Sequence, residues 1–269
     1  MNPNPIGVFD SGIGGLTAVK RLIQLLPNES IVYLGDTGRV PYGPRSRETI
    51  IKYARQDAEF LLKYGIKAMI IACNTVSSTA FEEVSRGAGA PVFGVIEPPS
   101  AVAAEATKNG IIGVIGTEAT IRSGAFSRAI ERIAPGARVV SAPCPLFVPL
   151  AENGRTSPDD AAVMTIARDY LAPIAESGAD TLILGCTHYP LLRAAVARIL
   201  GDGVTLIDSG AVTAEYAAES LGRLGLLSLT ETPVTRRYFV TDSVEGFEAR
   251  ASLFLGSDLR GLTEQVALE

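Results

Sequence analysis

Short, continuously apolar runs alternate along this chain with longer stretches in which apolar residues recur at helical spacing. The short runs fall at residues 6–9, 31–35, 68–72, 92–95, 111–115, 138–141, 181–185 and 204–207. Apolar residues that follow one another without alternation suit strands covered on both faces, as in parallel sheets. Residues 49–64 show the helical pattern, with Ile50, Tyr53, Ala54, Ala58, Leu61 and Leu62 on the apolar side, polar Asp57 as a break in it, and Gly65 as a stop. A further helix is expected over 211–224, followed by a strand over 236–241. This β-α-β-α rhythm predicts an α/β fold with mostly parallel sheets.

The pattern occurs twice. IGVFDSGIGGL at 6–16 has a counterpart in IGVIGTEATI at 112–121, and AMIIACNT at 68–75 has one in TLILGCTH at 181–188. Each first block is a strand, a small or hydroxyl-bearing turn and a helix start; each second block is an apolar strand, a small residue, a cysteine and a helix start. Two similar α/β domains are expected, with the first ending near Glu97-Pro98-Pro99. Residues 1–97 plus 211–269 would form one domain and 98–210 the other, with the active site in the crevice between them.

In open parallel sheets ligands bind beyond the carboxyl ends of the strands. Four polar clusters fall at such ends: Asp10-Ser11, Cys73-Asn74-Thr75, Thr117 and Cys186-Thr187-His188. Cys73 and Cys186 each lie between a strand and a helix start, where free N–H groups favour a thiolate. His188, the one histidine of the chain, is two residues from Cys186. Taken singly, such cysteines are more often inert core residues; the matched pair in matched contexts argues for chemistry. Cys144, flanked by prolines, reads as core. Asp10 could act as a base toward a thiol or cap a helix over a glycine turn. The Gly12-Ile13-Gly14 start of a dinucleotide fingerprint fails at Thr17, although Asp36 stands near the spacing of a ribose-binding acid. The loop GDTGRVPYGPRS, with Arg39, Arg45 and Arg47, reads either as an ordinary surface loop or as a lid over a small anion. Glu152 reads as a helix-end acid or a site carboxylate.

Two thiols suit one kind of reaction. Inverting an α-carbon needs a proton removed from one face and another delivered to the opposite face, so a thiolate and a thiol on either side would exchange roles at each turnover. Rival readings are a protein that clamps an anion without turnover, and a thiol–disulfide enzyme, which the lack of a C-x-x-C motif disfavours.

The 269 residues carry 47% apolar residues, ample for a buried core, and a formal net charge of −5, which argues against a general grip on nucleic acid. Three scattered cysteines make no disulfide framework and suit a reducing compartment. MNPNPIGVFD has no signal-peptide character and no apolar run approaches the roughly 20 residues that cross a bilayer. A cytoplasmic protein without membrane association is expected.

The series DSGIGGLTAV, GDTGRVPYG, ACNTVSS, PVFGVIEP, IGVIGTEATI, CPLFVPLAENG and LGCTHYPLL, running from about residue 6 to residue 208, resembles the glutamate racemases of the aspartate/glutamate racemase superfamily. The stretch beyond about residue 226 carries little of the resemblance. The resemblance implies interconversion of L- and D-glutamate (EC 5.1.1.3) without pyridoxal phosphate, other cofactor or metal, supplying D-glutamate for peptidoglycan. It implies Cys73 and Cys186 as the catalytic pair, Asp10 assisting Cys73, His188 assisting Cys186, and Glu152 as a further acid near the second thiol. It also implies substrate contacts from Asp10, Ser11, Pro41, Tyr42, Gly43, Cys73, Asn74, Thr75, Thr117, Thr120, Cys186, Thr187 and His188, and a homodimer. Aspartate is a rival substrate, because one methylene is worth only about 1–3 kcal/mol of discrimination.

Overall fold

The computed structural model describes residues 2–228 and 233–268. In chain order the strands are β1 (Ile6–Asp10), β2 (Ile31–Gly35), β3 (Ala68–Ile71), β4 (Val92–Gly94), β5 (Ile111–Gly116), β6 (Arg138–Pro143), β7 (Thr181–Gly185), β8 (Thr205–Asp208), β9 (Arg236–Val240) and β10 (Thr263–Gln265). The helices are α1 (Leu16–Leu25), α2 (Arg47–Leu62), α3 (Asn74–Ser85), α4 (Glu97–Ala106), α5 (Glu118–Ser123), α6 (Ala125–Ile133), α7 (Phe147–Glu152), α8 (Ala161–Ser177), α9 (Arg193–Leu200), α10 (Ser209–Arg223) and α11 (Val244–Leu255). Each of the eight apolar runs read from the sequence contains one of the first eight strands, within a residue or two at either end.

The strands form a six-stranded sheet of order β10-β9-β2-β1-β3-β4 and a four-stranded sheet of order β6-β5-β7-β8. Every pairing among the described residues is parallel. The segment β2-β1-β3-β4 and the whole second sheet share one order, with β5 in the place of β1 and β7 in the place of β3. These are the strands that carry the repeated blocks. The strand expected over 236–241 is β9, which pairs with β2 and so brings the chain back to the first sheet. β10, three residues of polar character at the sheet edge, has no counterpart in the apolar pattern.

Both sheets are covered on both sides, which explains the unbroken apolar runs. Ile6 and Val8 of β1 face Leu16, Val19 and Leu22 of α1 together with Phe247 and Phe254 of α11. Phe9 points the other way, toward Ile50, Ala54 and Leu61 of α2 and Val76 of α3. In the second sheet Ile115, Leu182 and Leu184 pack on Ala167 and Leu171 of α8. Ile112, Val114 and Ile183 pack on Ala103 of α4 and on Phe126 and Ile130 of α6. Each such buried Leu, Ile, Val or Phe side chain contributes about 1.5–3 kcal/mol through removal of apolar surface from water. The Glu97-Pro98-Pro99 segment is the first turn of α4, where proline is well tolerated because the first N–H groups of a helix have no acceptor within it. No helix among the described residues is long and apolar enough to cross a membrane.

Candidate active site

The carboxyl ends of β1, β3, β5 and β7 meet along the seam between the sheets, and each delivers one of the polar clusters. Three hydrogen bonds stitch the seam. Thr75 and Thr117 share one between their hydroxyls at 2.9 Å. The Thr17 hydroxyl donates to the Thr187 carbonyl at 3.2 Å. Asn74 Nδ2 donates to Ser209 Oγ at 3.1 Å, and Ser209 in turn donates to the carbonyl of Leu184 at 2.9 Å. Gly14 lies so close to the second half that a Cβ added there would fall 2.2 Å from Thr187 Oγ1 and 2.6 Å from the His188 ring, so only glycine fits.

On the first side, Cys73 is the N-cap of α3, a position at which it faces the free N–H groups of the helix start. Its Sγ lies 3.5 Å from Ser11 Oγ. Burial, and next the negative charge of Asp10, push the Cys73 thiol up to about 12. Asp10 is itself buried. Its Oδ2 accepts from the Gly12 N–H at 3.0 Å, and its Oδ1 has no partner within the protein. Burial raises the Asp10 pKa, against the opposing pull of His188 and of nearby backbone N–H groups. Asp10 is not a helix cap: α1 starts later, with Gly15 as its N-cap. Tyr33 braces the turn by donating to the Gly12 carbonyl at 2.7 Å.

On the second side, Cys186 Sγ lies 3.9 Å from His188 Nδ1, and His188 Nε2 lies 2.9 Å from Glu152 Oε1 at the end of α7. Thr187 Oγ1 is 3.3 Å from the same Nδ1. Burial lowers the His188 pKa, but hydrogen bonds to Cys186 and Glu152 outweigh it and raise the ring to about 10. The hydrogen bond from His188 holds the Glu152 carboxyl below its usual range. The His188 ring therefore stands between a carboxylate and a sulfur.

The remaining residues singled out in the sequence fall as follows. Thr117 and Thr120 continue the hydroxyl chain from Thr75, 3.0 Å apart. Asn74, Thr75, Thr187 and His188 are buried at the seam. Gly43 comes up against Thr117, with a hypothetical Cβ 3.3 Å from Thr117 Cβ. Tyr42 turns its ring away into the first half, where its hydroxyl reaches Asp36 and Asp57, so only its backbone is left to face the seam. Pro41 is exposed. Arg39 does not reach toward an anion: it stacks on Tyr53 and pairs with Asp36 and Asp57. Asp36 is fully occupied by those partners and by Thr241, which removes it as a ribose-binding acid. Cys144 is buried with its sulfur 3.7 Å from the carbonyl of Ala142, a core residue.

Two contacts have no signal in the local sequence. Phe254 of α11 packs edge-on against the His188 ring at 5.3 Å, and Arg250 of α11 lies 3.6 Å from the second oxygen of Glu152. A helix that packs on the first sheet thus contacts the hydrogen-bonded His188–Glu152 pair of the second half. No group of three or more histidine, cysteine or acidic side chains suited to holding a metal occurs among the described residues.

The family model for Asp/Glu/Hydantoin racemase matches residues 6–217. The chain belongs to that family. It is similar to a glutamate racemase from Geobacter metallireducens, at 48% identity over 98% of this chain and 97% of the relative. Its fold matches the crystal structure of a glutamate racemase from Francisella tularensis in complex with D-glutamate, with a TM-score of 0.93, 41% identity and coverage of 100% of this chain and 99% of that one. A glutamate racemase isoform from Bacillus anthracis superposes equally well, with a TM-score of 0.94, 38% identity and the same coverage.

Proposed function

We propose that this amino-acid racemase interconverts L-glutamate and D-glutamate by passing the α-proton between Cys73 and Cys186, one on each face of the bound substrate. The observation that carries the reading is the pair of cysteines at equivalent strand ends, on β3 and β7, at the seam of two sheets of matching order, the first against Ser11 and under the charge of Asp10, the second against His188. One sulfur, as thiolate, removes the α-proton; the other, as thiol, delivers a proton from the opposite side. Asp10 serves the Cys73 side, and His188 backed by Glu152 serves the Cys186 side. The residues Ser11, Pro41, Tyr42, Gly43, Asn74, Thr75, Thr117, Thr120 and Thr187 surround the substrate, with N–H groups at the start of α3 suited to a carboxylate. Fixed donors in a site closed to water stabilise the charge that develops as the C–H bond breaks.

Cys73 and Cys186 are 4% and 6% exposed, so the amino acid enters only when the halves part. The reading includes the division of the chain into 1–97 plus 211–269 and 98–210, a homodimer, a cytoplasmic location, independence of pyridoxal phosphate and metal, and supply of D-glutamate for peptidoglycan.

The test is incubation of L-glutamate with the protein in deuterated water without added cofactor, alongside L-aspartate and other amino acids. Both glutamate enantiomers appear, with deuterium at the α-carbon, and glutamate outpaces aspartate. Cys73→Ala and Cys186→Ala each lose about a thousandfold or more of this turnover; near-normal racemisation by either would remove the two-thiol mechanism.

A further inference from the structure

Asp57 is the polar residue that interrupts the apolar face of α2, and the reading above gives it no role. It is fully buried, as is Asp36 at the end of β2, and Tyr42 stands between them. The hydrogen bonds of this cluster do not close if both carboxyls are ionised. Asp36 Oδ2 accepts from the Tyr42 hydroxyl and from Arg39 Nε at 2.6 Å, while Asp36 Oδ1 accepts from Thr241 Oγ1 at 2.8 Å. Asp57 Oδ1 accepts from Arg39 Nη2 at 2.9 Å, and Asp57 Oδ2 faces the Tyr42 oxygen at 3.1 Å. A phenol has one hydrogen. Donated to Asp36, it leaves an oxygen lone pair of Tyr42 pointed at a carboxylate oxygen, with one guanidinium to neutralise two buried acids.

We propose that Asp57 carries a proton in the native protein and donates it to Tyr42, which donates onward to ionised Asp36, and that this chain is the clamp that holds the Tyr42–Gly43 backbone against Thr117 at the substrate seam. Asp36, with three donors on its two oxygens, is the acid that stays charged; Asp57, with one cationic donor, is the acid that stays neutral. Burial, then the charge of Asp36, drives the Asp57 pKa well up, with Arg39 and the Tyr42 hydroxyl opposing and Asp10 adding to the rise at longer range. The clamp also reaches the C-terminal part of the chain, because Thr241 follows β9 and its hydroxyl accepts from the Gly38 N–H at 2.8 Å. Asp36 and Asp57 are positioning residues: they act on the substrate only through the loop. That last step rests on the substrate assignment made above; the proton placement does not.

Two substitutions separate the acids. Asn reproduces a protonated Asp57, with Nδ2 donating to Tyr42 and Oδ1 accepting from Arg39. It cannot reproduce Asp36, whose oxygens only accept. A carboxyl with a raised folded pKa contributes stability that is full below its unfolded value of about 3.9 and is lost as pH rises toward the folded value. Asp57→Asn removes that loss. Its Tm is expected to match or exceed that of the wild type at pH 7, by a margin that grows from pH 4 upward, with KM for glutamate within about twofold of wild type. Asp36→Asn is expected to lower Tm and raise KM about tenfold, the effect of one lost charge-assisted hydrogen bond. An infrared band of a protonated carboxylic acid is expected in the wild type at pH 7 and not in Asp57→Asn. An Asp57→Asn protein that is less stable than wild type at pH 7, or that fails to fold, overturns the proton placement, as does absence of the band. An Asp36→Asn protein with lowered Tm but unchanged KM overturns the role of the clamp at the substrate, and leaves the proton placement standing. Should no amino acid be turned over at all, the stability and infrared readings still decide the proton.

Discussion

The ends of β3 and β7 occupy equivalent places in two sheets of matching order, and each presents a cysteine followed by a hydrogen-bonding residue. Their electrostatic settings are opposite. Cys73 sits among a buried carboxyl and a serine hydroxyl, and its thiol is driven up to about 12 by burial and by Asp10. Cys186 faces an imidazole ring raised to about 10 and anchored by Glu152. A carboxylate beside a sulfur favours the neutral thiol; an imidazolium beside a sulfur favours the thiolate. The comparison teaches that repeated topology has placed two cysteines at equivalent strand ends, while different neighbours give them different electrostatic surroundings.

The largest test of this difference exchanges each helper for a neutral isostere. Asp10→Asn and His188→Asn are each expected to lower turnover about a hundredfold, the usual share of a positioned acid–base group. The equilibrium constant of racemisation is one, so kcat/KM must fall equally in the two directions. The individual kcat values are free to diverge, and the two variants are expected to skew the ratio of forward to reverse kcat in opposite senses. Skew in the same sense for both would mean that the two sides are not distinct. The His188 ring also sets a pH window. Its raised pKa gives stability that is full below about 6.5 and is lost as pH rises toward about 10, together with the basic limb of activity. That limb is expected to vanish in His188→Asn.

Much of this was legible in the chain because the relevant signals are local. A strand buried on both faces must be apolar throughout, so β1, β3, β5 and β7 stand out, and the residues just beyond a parallel strand fall at the ligand end of the sheet. The duplicated blocks around Cys73 and Cys186 are legible for the same reason. What escaped depends on distant parts of the chain. Phe254 reaches His188 only because β9 and α11 return to the first sheet and cross the seam, and nothing near residue 254 announces it. Arg39 resembles an anion-binding residue of a glycine-rich loop, yet buried Asp36 and Asp57 draw it inward, which only the packing of α2 on β2 reveals. Asp57 itself is visible as a break in a helical stripe, and the stripe alone gives no reason for it. β10 is too short and too polar to form a pattern.

A middle-sized effect is expected in the chemistry of the thiols themselves. Near neutral pH, iodoacetamide is expected to modify Cys186 about tenfold faster than Cys73, because the thiolate is the reacting species and only Cys186 stands beside an imidazolium. Both are buried, so both rates fall further when substrate holds the halves together, and Cys144 stays unmodified in the native protein. Peptide mapping after graded exposure gives the order. Modification of Cys73 first would mean that the His188 ring does not raise the reactivity of Cys186.

The smallest expected effect probes how much of the Cys186 setting is built from outside its own half. Arg250 lies 3.6 Å from Glu152, and its side chain is 47% exposed against 23% for the acid. Solvent-exposed pairs of this kind contribute about 0–1 kcal/mol. Arg250 draws Glu152 toward its charged form, and the charged form in turn favours the imidazolium only through the His188 contact, so its influence reaches the ring diluted. Arg250→Gln is therefore expected to move the basic limb of the activity profile by less than about half a pH unit, a difference under about 0.7 kcal/mol. Glu152 is held below the usual carboxylate range chiefly by His188, so it stays ionised in the variant, and removing a nearby cation makes protonation of His188 easier and moves the limb upward. A downward shift, read from kcat/KM across pH 8–11, would instead show that Arg250 holds Glu152 in position for its hydrogen bond to His188. A shift of a full unit in either direction would show that α11, a helix of the first half, governs the acid–base group of the second.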